Sequence, residues 1–307
     1  MRPGPFFYRR RVAFGECDPA RIYYTPRAVD YALEAVEAWF GSVLEVSFGE
    51  LIDRRGLEIS VMRVDCDFVR PLVAGQVFRA RVGVCGIEGE AILFRAAGED
   101  ESGAPYFRVD LLMCFSERKS HAPVPIPPEH RRRIEACREP QEGETRVREE
   151  KGRSPRRKDR PSGAAPFTRK RRVFYGDCGP SGTIHPSKVF EYATEAIGEW
   201  FEEIPGISWL ELVSVRRQGA PMVAALCEIL SPMVPGQVIA MEVRVPRLGR
   251  ASIGFAVAGH DADGVLCFDA QMVACYIDQR DGFRSMPIPE EFYGRIQAYR
   301  AACEADG

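Results

Sequence analysis

The feature that most constrains the fold of this sequence is an internal duplication with a period of 161 residues. The segment FGECDPARIYYTP at 14–26 recurs as YGDCGPSGTIHPS at 175–187, and the two copies align without a gap from Phe14 to Val77. Within the window 14–40, nine of the 27 positions are identical between the copies. Such a period is far longer than that of a solenoid repeat and has the size of an ordinary domain. The sequence therefore predicts two copies of one domain.

The segment between the two copies has the composition of a linker. Residues 139–166, EPQEGETRVREEKGRSPRRKDRPSGAAP, combine both signs of charge with Pro, Gly and Ser and contain almost no large apolar side chain. Such a segment cannot bury enough apolar surface to fold by itself. The basic run RSPRRKDR would suit a nucleic-acid or targeting patch, but the composition favours a solvated linker. We therefore expect a first domain at 1–138, a flexible linker at 139–166 and a second domain at 167–307.

Each copy has the pattern of one long helix followed by strands. Val29, Leu33, Val36 and Phe40 recur at spacings of four, three and four, which places them on one face of a helix. The segments ISVMRVDCDFV, QVFRARVGVCG, AILFRAA and YFRVDLLMCF follow, and turn residues separate these strand-like runs. Further apolar residues surround much of the helix, which indicates that a curved sheet covers it. This order predicts an α+β unit with an antiparallel sheet.

Composition and charge exclude several classes of protein. With 45% hydrophobic residues in 307 and a net charge of -2, the chain can form a core and has no overall charge that favours nucleic acid. No apolar run is long enough to span a bilayer, and the start MRPGPFFYRRR lacks the apolar core of a signal peptide. The ten cysteines form no C-x-x-C pair and the four histidines show no ligand spacing, so no metal site is expected. We expect a cytoplasmic protein with reduced thiols that binds neither nucleic acid nor membranes.

The segment 14–26 resembles the signature of the 4-hydroxybenzoyl-CoA thioesterase group of hotdog-fold proteins. That signature reads F-G-D-x-D-P-x-G-I-V-aromatic-aromatic-P and stands just before the central helix. The resemblance covers most of residues 8–135, and the second copy resembles the family over 170–298, more weakly at the loop. It implies a tandem hotdog, in which each unit wraps a curved antiparallel sheet of about five strands round a long helix. It also implies that the two units pair within the chain and that sites form at their interface.

The resemblance assigns the chemistry to two positions of the first copy. The family's catalytic carboxylate matches Asp18, and its oxyanion donor, a backbone N–H seven residues later, matches that of Thr25. A carboxylate can attack a thioester carbonyl or activate water, and the first turn of a helix offers unpaired N–H groups. In the second copy Gly179 replaces Asp18, and Pro186, which has no N–H, replaces Thr25. One active site per chain is therefore expected.

The resemblance also implies a substrate pocket. Its predicted lining consists of Tyr23 and Tyr24 in the first copy and of Ala220, Pro221 and Met222 in the second. Small and apolar groups suit an aryl or medium-chain acyl group, although an ordinary core strand explains each of the last three equally well. The expected substrate is an acyl-CoA, with coenzyme A as part of the substrate and no further cofactor.

Three positions depart from the family signature. Glu16 replaces the first Asp, Thr25 replaces an aromatic residue, and Arg21 replaces a Gly. The last change would alter the loop if that Gly needs a positive φ. These departures concern the choice of acyl group more than the reaction.

Other residues of the loop and helix are rival candidates for chemistry. Glu34 is a carboxylate on the helix, where some hotdog thioesterases carry theirs, and Cys17 is a thiol beside Asp18. Both are retained in the copy that lacks Asp18, as Glu195 and Cys178, which favours structural roles. His185 has a faint similarity to the motif of hotdog hydratases, but its spacing favours an ordinary loop histidine.

Three functions therefore remain open at the level of the sequence. The first is an acyl-CoA thioesterase, and the second is an acyl-carrier-protein thioesterase or another hotdog enzyme of a biosynthetic pathway. The third is a non-catalytic acyl-CoA binding module. A homo-oligomer, formed as a dimer of tandem chains, is expected for all three.

Overall fold

A computed structural model describes residues 5–139 and 166–304, so nearly all of the predicted linker lies outside the described residues. The described chain forms two compact units. The first holds residues 5–139 together with Cys178–Ser187, and the second holds 166–177 together with the residues from Lys188 onward. The loop of the second sequence copy is thus part of the first unit. The domain boundaries derived from the sequence stay predictions.

The first unit has the predicted order of one long helix followed by antiparallel strands. Its strands are β1 (Phe6–Arg11), β2 (Leu57–Phe68), β3 (Val77–Glu88), β4 (Ala91–Glu99), β5 (Pro105–Glu117) and the short β6 (Pro123–Val124). Its helices are α1 (Arg27–Trp39), α2 (Phe48–Arg55) and α3 (Pro128–Ala136). The five long strands pair in the order β1-β3-β4-β5-β2, and every pair is antiparallel.

The second unit repeats this topology. Its strands are β7 (Phe167–Arg172), β8 (Gln218–Gly219), β9 (Met222–Ile229), β10 (Val238–Leu248), β11 (Ser252–His260), β12 (Leu266–Cys275), β13 (Ile277–Asp278) and β14 (Arg284–Ser285). Its helices are α4 (Pro186–Glu203), α5 (Trp209–Ser214) and α6 (Glu290–Glu304). The long strands pair in the antiparallel order β7-β10-β11-β12-β9, which is the order of the first unit. The short strands β8, β13 and β14 form a separate small sheet.

The central helix of the first unit lies against the sheet, as its apolar circumference predicts. Helix α1 contacts strands from across the sheet, namely β1, β3, β4 and β5. The side chains of Val29, Tyr31 and Val36 are fully buried. A sheet that curves round one helix buries apolar side chains on several of its faces at once. The predicted hotdog architecture is confirmed.

The same aromatic trio fills the core of both units. The ring of Trp39 meets Phe94 edge-on at 5.1 Å and packs against Phe40 at 5.6 Å. The equivalent Trp200 meets Phe255 edge-on at 5.1 Å and Phe201 at 5.2 Å. Edge-to-face contacts of this kind contribute about 0.5–1.5 kcal/mol each beyond the burial of the rings. The duplication has therefore kept the central packing as well as the topology.

No helix among the described residues is long and apolar enough to cross a membrane.

Candidate active site

Asp18 lies in a tight loop between the 3-10 turn Phe14–Glu16 and helix α1. Its backbone N–H donates to the carbonyl of Ile22 at 2.9 Å, and its carbonyl accepts from the N–H of Arg21 at 2.8 Å. The carboxylate oxygen Oδ1 accepts from the N–H of Ala20 at 2.8 Å, which is an Asx turn. The loop therefore fixes the Asp18 side chain through its own backbone.

The loop of the second copy has the same backbone hydrogen bonds. The N–H of Gly179 donates to the carbonyl of Thr183 at 2.9 Å, and its carbonyl accepts from the N–H of Gly182 at 2.9 Å. Gly182 has φ +87°, and Arg21, at the equivalent position, has φ +65°. Arg21 therefore keeps the left-handed conformation of a glycine, at a steric cost of about 1–2 kcal/mol. Its departure from the family signature leaves the loop unchanged.

The environment of Asp18 makes its carboxylate a stronger base than an exposed aspartate. Burial raises the pKa of Asp18 to about 6, although the N–H groups of Ala20 and Ile22 partly oppose the shift. Above this pH the carboxylate is ionised and can take a proton from water or attack a carbonyl carbon. A base is most effective when its pKa is near the working pH.

The backbone N–H of Thr25 is available at the start of helix α1. It donates to no acceptor among the described residues, whereas the Thr25 carbonyl already accepts from the N–H of Ala28 at 3.1 Å. Helix starts leave such N–H groups pointing outward at the positive end of the helix dipole. At the equivalent position of the second copy, Pro186 is the first residue of α4 and has no N–H. The first loop thus has both groups that the proposed chemistry needs, and the second has neither.

A partly buried ion-pair cluster anchors the Asp18 loop to strand β1 and helix α1. Arg10 donates to Glu16 at 2.6 Å and to Glu34 at 2.5 Å, and its guanidinium lies 4.2 Å from the ring centre of Tyr31. Glu16 also accepts from the Tyr31 hydroxyl at 3.1 Å and from the N–H of Ala13 at 2.7 Å. Burial alone would raise the pKa of Glu16, but the bonds from Arg10 and Ala13 hold it below its ordinary value. Glu16 is therefore ionised and holds the start of the loop.

The second unit has the same anchor. Arg171 forms an ion pair with Glu195, and its guanidinium lies 4.3 Å from the ring centre of Tyr192. The Tyr192 hydroxyl donates to Asp177 at 2.6 Å, and Asp177 accepts from the N–H of Phe174 at 3.0 Å. This geometry supports the structural interpretation of the helix glutamates over a catalytic one.

Sequence reasoning missed the arginine at the centre of this anchor. Arg10 and Arg171 are identical residues at the 161-residue period, but they lie before the window in which the copies align best. Each stands among other arginines, so nothing in the composition marks it as the one that pairs with Glu34 or Glu195 of the helix. The signal that would have found it is the identity across the period itself.

The predicted substrate-binding residues lie in different surroundings. Tyr23 is buried, its N–H donates to the carbonyl of Leu72 at 2.8 Å, and its ring packs against the rings of Tyr31 and Phe107. Tyr24 is half-buried, and its N–H donates to the carbonyl of Glu16 at 2.8 Å. Tyr23 therefore contributes to the core, and its direct contact with a substrate stays a prediction, as does that of Tyr24.

The other three predicted pocket residues belong to the second unit. Ala220 and Pro221 are half-buried just before β9, and the Pro221 carbonyl accepts from the N–H of Cys275 at 3.0 Å. Met222 is buried and begins β9, opposite Ala274 of β12. These positions fit the ordinary start of a strand as well as a pocket wall, so their binding role stays a prediction.

The thiol of Cys17 is not activated for nucleophilic attack. Burial and the neighbouring charge of Asp18 raise the pKa of Cys17 above its ordinary value, so the thiol form predominates at neutral pH. Among the described residues, no group of three or more His, Cys, Asp and Glu side chains is arranged to hold a metal ion. The carboxylate of Asp18 is thus the better candidate for the reacting group.

A cavity of about 520 Å³ in the first unit lies away from the predicted site. Trp39, Val43, Glu45, Arg133 and Cys137 are among its lining residues, and none of the seven predicted site residues lines it. Its Glu45 is paired with Arg133 at 2.9 Å. We therefore place the candidate site at the Asp18 loop rather than in this cavity.

Comparison with protein families matches residues 12–134 to the thioesterase-like superfamily. A thioesterase-superfamily protein from Jannaschia sp. of known structure is 31% identical; the match covers 94% of that protein and 45% of this chain, with a TM-score of 0.41. No protein of curated function matches the sequence.

Two solved structures resemble both units together. The 12:0-ACP thioesterase from Umbellularia californica superposes with a TM-score of 0.69 at 13% identity, over 88% of this chain and 94% of its own. An acyl-ACP thioesterase from Bacteroides thetaiotaomicron superposes with a TM-score of 0.63 at 10% identity, over 88% of this chain and 96% of its own. At these identities the likeness shows a shared fold.

Proposed function

Since the chain belongs to the thioesterase-like superfamily, we propose that it is an acyl-CoA thioesterase whose single active site per chain is built on the Asp18 loop. The reaction is the hydrolysis of an acyl-CoA, with an aryl or medium-chain acyl group, to the free acid and coenzyme A. One observation carries the proposal. The two loops share one backbone conformation, but only the first has a carboxylate and a helix-start N–H without an acceptor among the described residues.

The chemistry can proceed by either of two routes from Asp18. As a general base, the carboxylate takes a proton from water while the water oxygen attacks the thioester carbon, and the C–S bond then breaks. The proton on Asp18 then passes to the leaving thiolate. As a nucleophile, the carboxylate itself displaces the thiolate, and water hydrolyses the resulting anhydride. In both routes the negative charge grows on the carbonyl oxygen, where the N–H of Thr25 would stabilise it.

The raised pKa of Asp18 suits the first route in particular. A carboxyl group with a pKa of about 6 is mostly ionised at neutral pH and still binds a proton more strongly than an exposed aspartate. The same group can therefore accept the proton of water and return it to the thiolate.

The direct test is an assay of thiol release from a panel of aryl-, medium-chain and long-chain acyl-CoA esters. We expect turnover of at least one aryl or medium-chain ester by the wild type. Asp18→Asn, which keeps the size of the side chain, should lower turnover about a hundredfold or more. Binding of the esters without thiol release would instead identify a non-catalytic binding module, and near-native turnover by Asp18→Asn would remove Asp18 from the mechanism.

A second candidate function is the hydrolysis of acyl chains held on a carrier protein. It is favoured by the likeness to two acyl-ACP thioesterases, which extends over most of this chain. Assays that present one acyl group on coenzyme A and on a carrier protein would decide between the two. A kcat/KM that is at least tenfold higher on the carrier would support the second function over the first.

We further propose that the protein acts in the cytoplasm as a dimer of tandem chains. Both units expose large apolar side chains at three equivalent pairs of positions: Phe14 and Tyr175, Val69 and Leu230, and Val73 and Val234. Exposed apolar groups at repeated positions are typical of a surface that another molecule covers. Light scattering of the purified protein should give twice the chain mass of 34.4 kDa, and a mass equal to that of one chain would contradict the dimer.

A further inference from the structure

The loop of the second copy meets the helix that begins beside the proposed oxyanion donor. The segment Cys178–Ser187 clusters with the first unit, although the sequence repeat assigns it to the second copy. Within that unit, Nδ1 of His185 lies 3.4 Å from Oδ1 of Asp30 in the first turn of α1. The Asp30 side chain is only 17% exposed. The contact therefore joins the second-copy loop, which has no carboxylate at the position of Asp18, to the start of α1, where the Thr25 N–H lies.

The chemistry of the two side chains fixes the direction of this contact. An ionised carboxylate can only accept hydrogen bonds, so an imidazole that bonds Asp30 through Nδ1 must have its proton there. The same Nδ1 lies 2.9 Å from Oγ of Ser187, whose hydroxyl oxygen can share that proton. The other carboxylate oxygen of Asp30 accepts from Arg27 at 3.0 Å. Asp30 is thus held from its own helix by Arg27, and His185 of the second loop lies within reach of its other oxygen.

The second copy has the helix part of this arrangement but a different loop residue. Lys188 and Glu191 stand at the positions equivalent to Arg27 and Asp30, and they form the same ion pair at 2.6 Å. The residue equivalent to His185 in the first loop is Tyr24, which has no ring nitrogen. The group that can donate to a helix carboxylate at this position is therefore an imidazole N–H in the second loop and a phenol hydroxyl in the first.

We infer that His185 is a positioning residue for the proposed hydrolysis. By holding Asp30, it fixes the first turn of α1 and with it the direction of the Thr25 N–H. An oxyanion donor must be placed to within about 0.5 Å of its productive position, so a small displacement of this turn lowers the rate. The inference rests on the proposed function and gives the loop that lost its carboxylate a role in the remaining site.

The effect should appear in kcat rather than in KM, because the N–H bonds a charge that develops only in the transition state. We expect His185→Ala to lower kcat about ten- to a hundredfold with little change in KM. His185→Asn should keep most of the activity, because its amide N–H can donate from near the place of Nδ1. Ser187→Ala is the matched control, since it removes the other oxygen beside Nδ1 and leaves the contact with Asp30.

A double-mutant cycle tests whether His185 acts through Asp30. The His185→Ala and Asp30→Asn changes should lower kcat together by no more than the larger single effect, because both remove one contact. Backbone amides in the first turn of α1 should also exchange hydrogen faster in His185→Ala than in Ser187→Ala. If His185 had only a structural role, His185→Ala would shift the unfolding midpoint, but the effects of the two changes on kcat would not be coupled.

The outcomes separate this inference from the proposed function. Wild-type kcat in His185→Ala, or losses that add fully in the double variant, would overturn the role of His185 while thiol release by the wild type still supports the thioesterase. If His185→Ala does not fold, His185→Phe, which keeps a ring but has no N–H, and Asp30→Asn supply the same cycle. Absence of thiol release by the wild type from every ester would overturn the proposed function itself. In that case, faster amide exchange in the first turn of α1 in His185→Ala than in Ser187→Ala would still show that His185 holds this turn.

Discussion

At the scale of the residue, Asp18 is distinguished by a half-buried carboxylate that its own loop backbone holds in place. Burial raises its pKa to about 6, and hydrogen bonds from backbone N–H groups only partly oppose the shift. This single property has consequences for both activity and stability, and the two have opposite signs.

The activity should rise with pH through the pKa of Asp18. The proposed base or nucleophile must be ionised, so kcat/KM should fall progressively as the pH drops below about 6 and should level off above it. A pH profile of thiol release from one acyl-CoA at low substrate concentration measures this. A profile without a limb near pH 6, in an enzyme that requires Asp18, would contradict the assignment of the pKa.

The stability should respond in the opposite direction. A carboxyl whose folded-state pKa of about 6 exceeds the ordinary 3.8 binds its proton more tightly in the folded state, so ionisation destabilises the fold as the pH rises through this interval. Asp18→Asn removes the charge and should therefore raise the thermal unfolding midpoint at pH 7. The gain should disappear below about pH 4, where the wild-type carboxyl is protonated in both states. An equal gain at pH 4 and pH 7 would mean that the amide stabilises the loop for another reason.

At the scale of the element, the anchor of Arg10, Glu16, Tyr31 and Glu34 joins strand, loop and helix in the first unit and recurs in the second.

The helix, the four later strands and the hotdog architecture could be predicted, because apolar periodicity and turn residues show them directly. Strand β1 was missed because three arginines occupy half of its six residues, and none of the six is fully buried. The small sheet of β8, β13 and β14 was missed because two-residue strands have no periodicity.

The repeated anchor allows a matched pair of substitutions. Tyr31→Phe removes the hydroxyl that bonds Glu16, and Tyr192→Phe removes the one that bonds Asp177. Each should lower the free energy of unfolding by about 0.5–1.5 kcal/mol. Only Tyr31→Phe should also lower kcat, because only its loop has the carboxylate. Denaturant unfolding and thiol release measure the two effects, and an equal loss of kcat in both variants would contradict the assignment of the carboxylate chemistry to the first loop alone.

At the scale of the whole molecule, the two copies share topology, core and loop backbone and differ in the groups proposed to react. The sequence alone indicated this division, since Gly179 and Pro186 could be compared with Asp18 and Thr25. It could not show that the segment Cys178–Ser187 clusters with the first unit. Contacts between residues this far apart in sequence depend on the path of the chain in three dimensions. Periodicity and residue spacing indicate only local structure, so they do not predict such contacts.

One site per chain leads to a prediction about rescue. A Cβ added at Gly179 would meet only a ring carbon of His185, at an ordinary contact distance of 3.9 Å, so the backbone there accepts a side chain. Even so, Gly179→Asp in an Asp18→Asn background should stay inactive, because Pro186 has no N–H for the oxyanion. The loss of one such donor costs about a hundredfold or more in rate. Strong recovery of thiol release would show that the second loop retains a working oxyanion donor.

Because the two loops share one backbone conformation, selection on the loop conformation can be distinguished from selection on the proposed reacting group within one molecule. Arg21 and Gly182 must both adopt a left-handed turn, whereas the need for a carboxylate falls on one loop alone. Under a growth selection, substitutions that disturb the turn should be removed from both halves of the gene, and those that alter the reacting group from the first half only. Apart from residues that support the first site, such as His185, the later half is thus free to diverge, which makes it the reservoir from which a new specificity could evolve without loss of the original one.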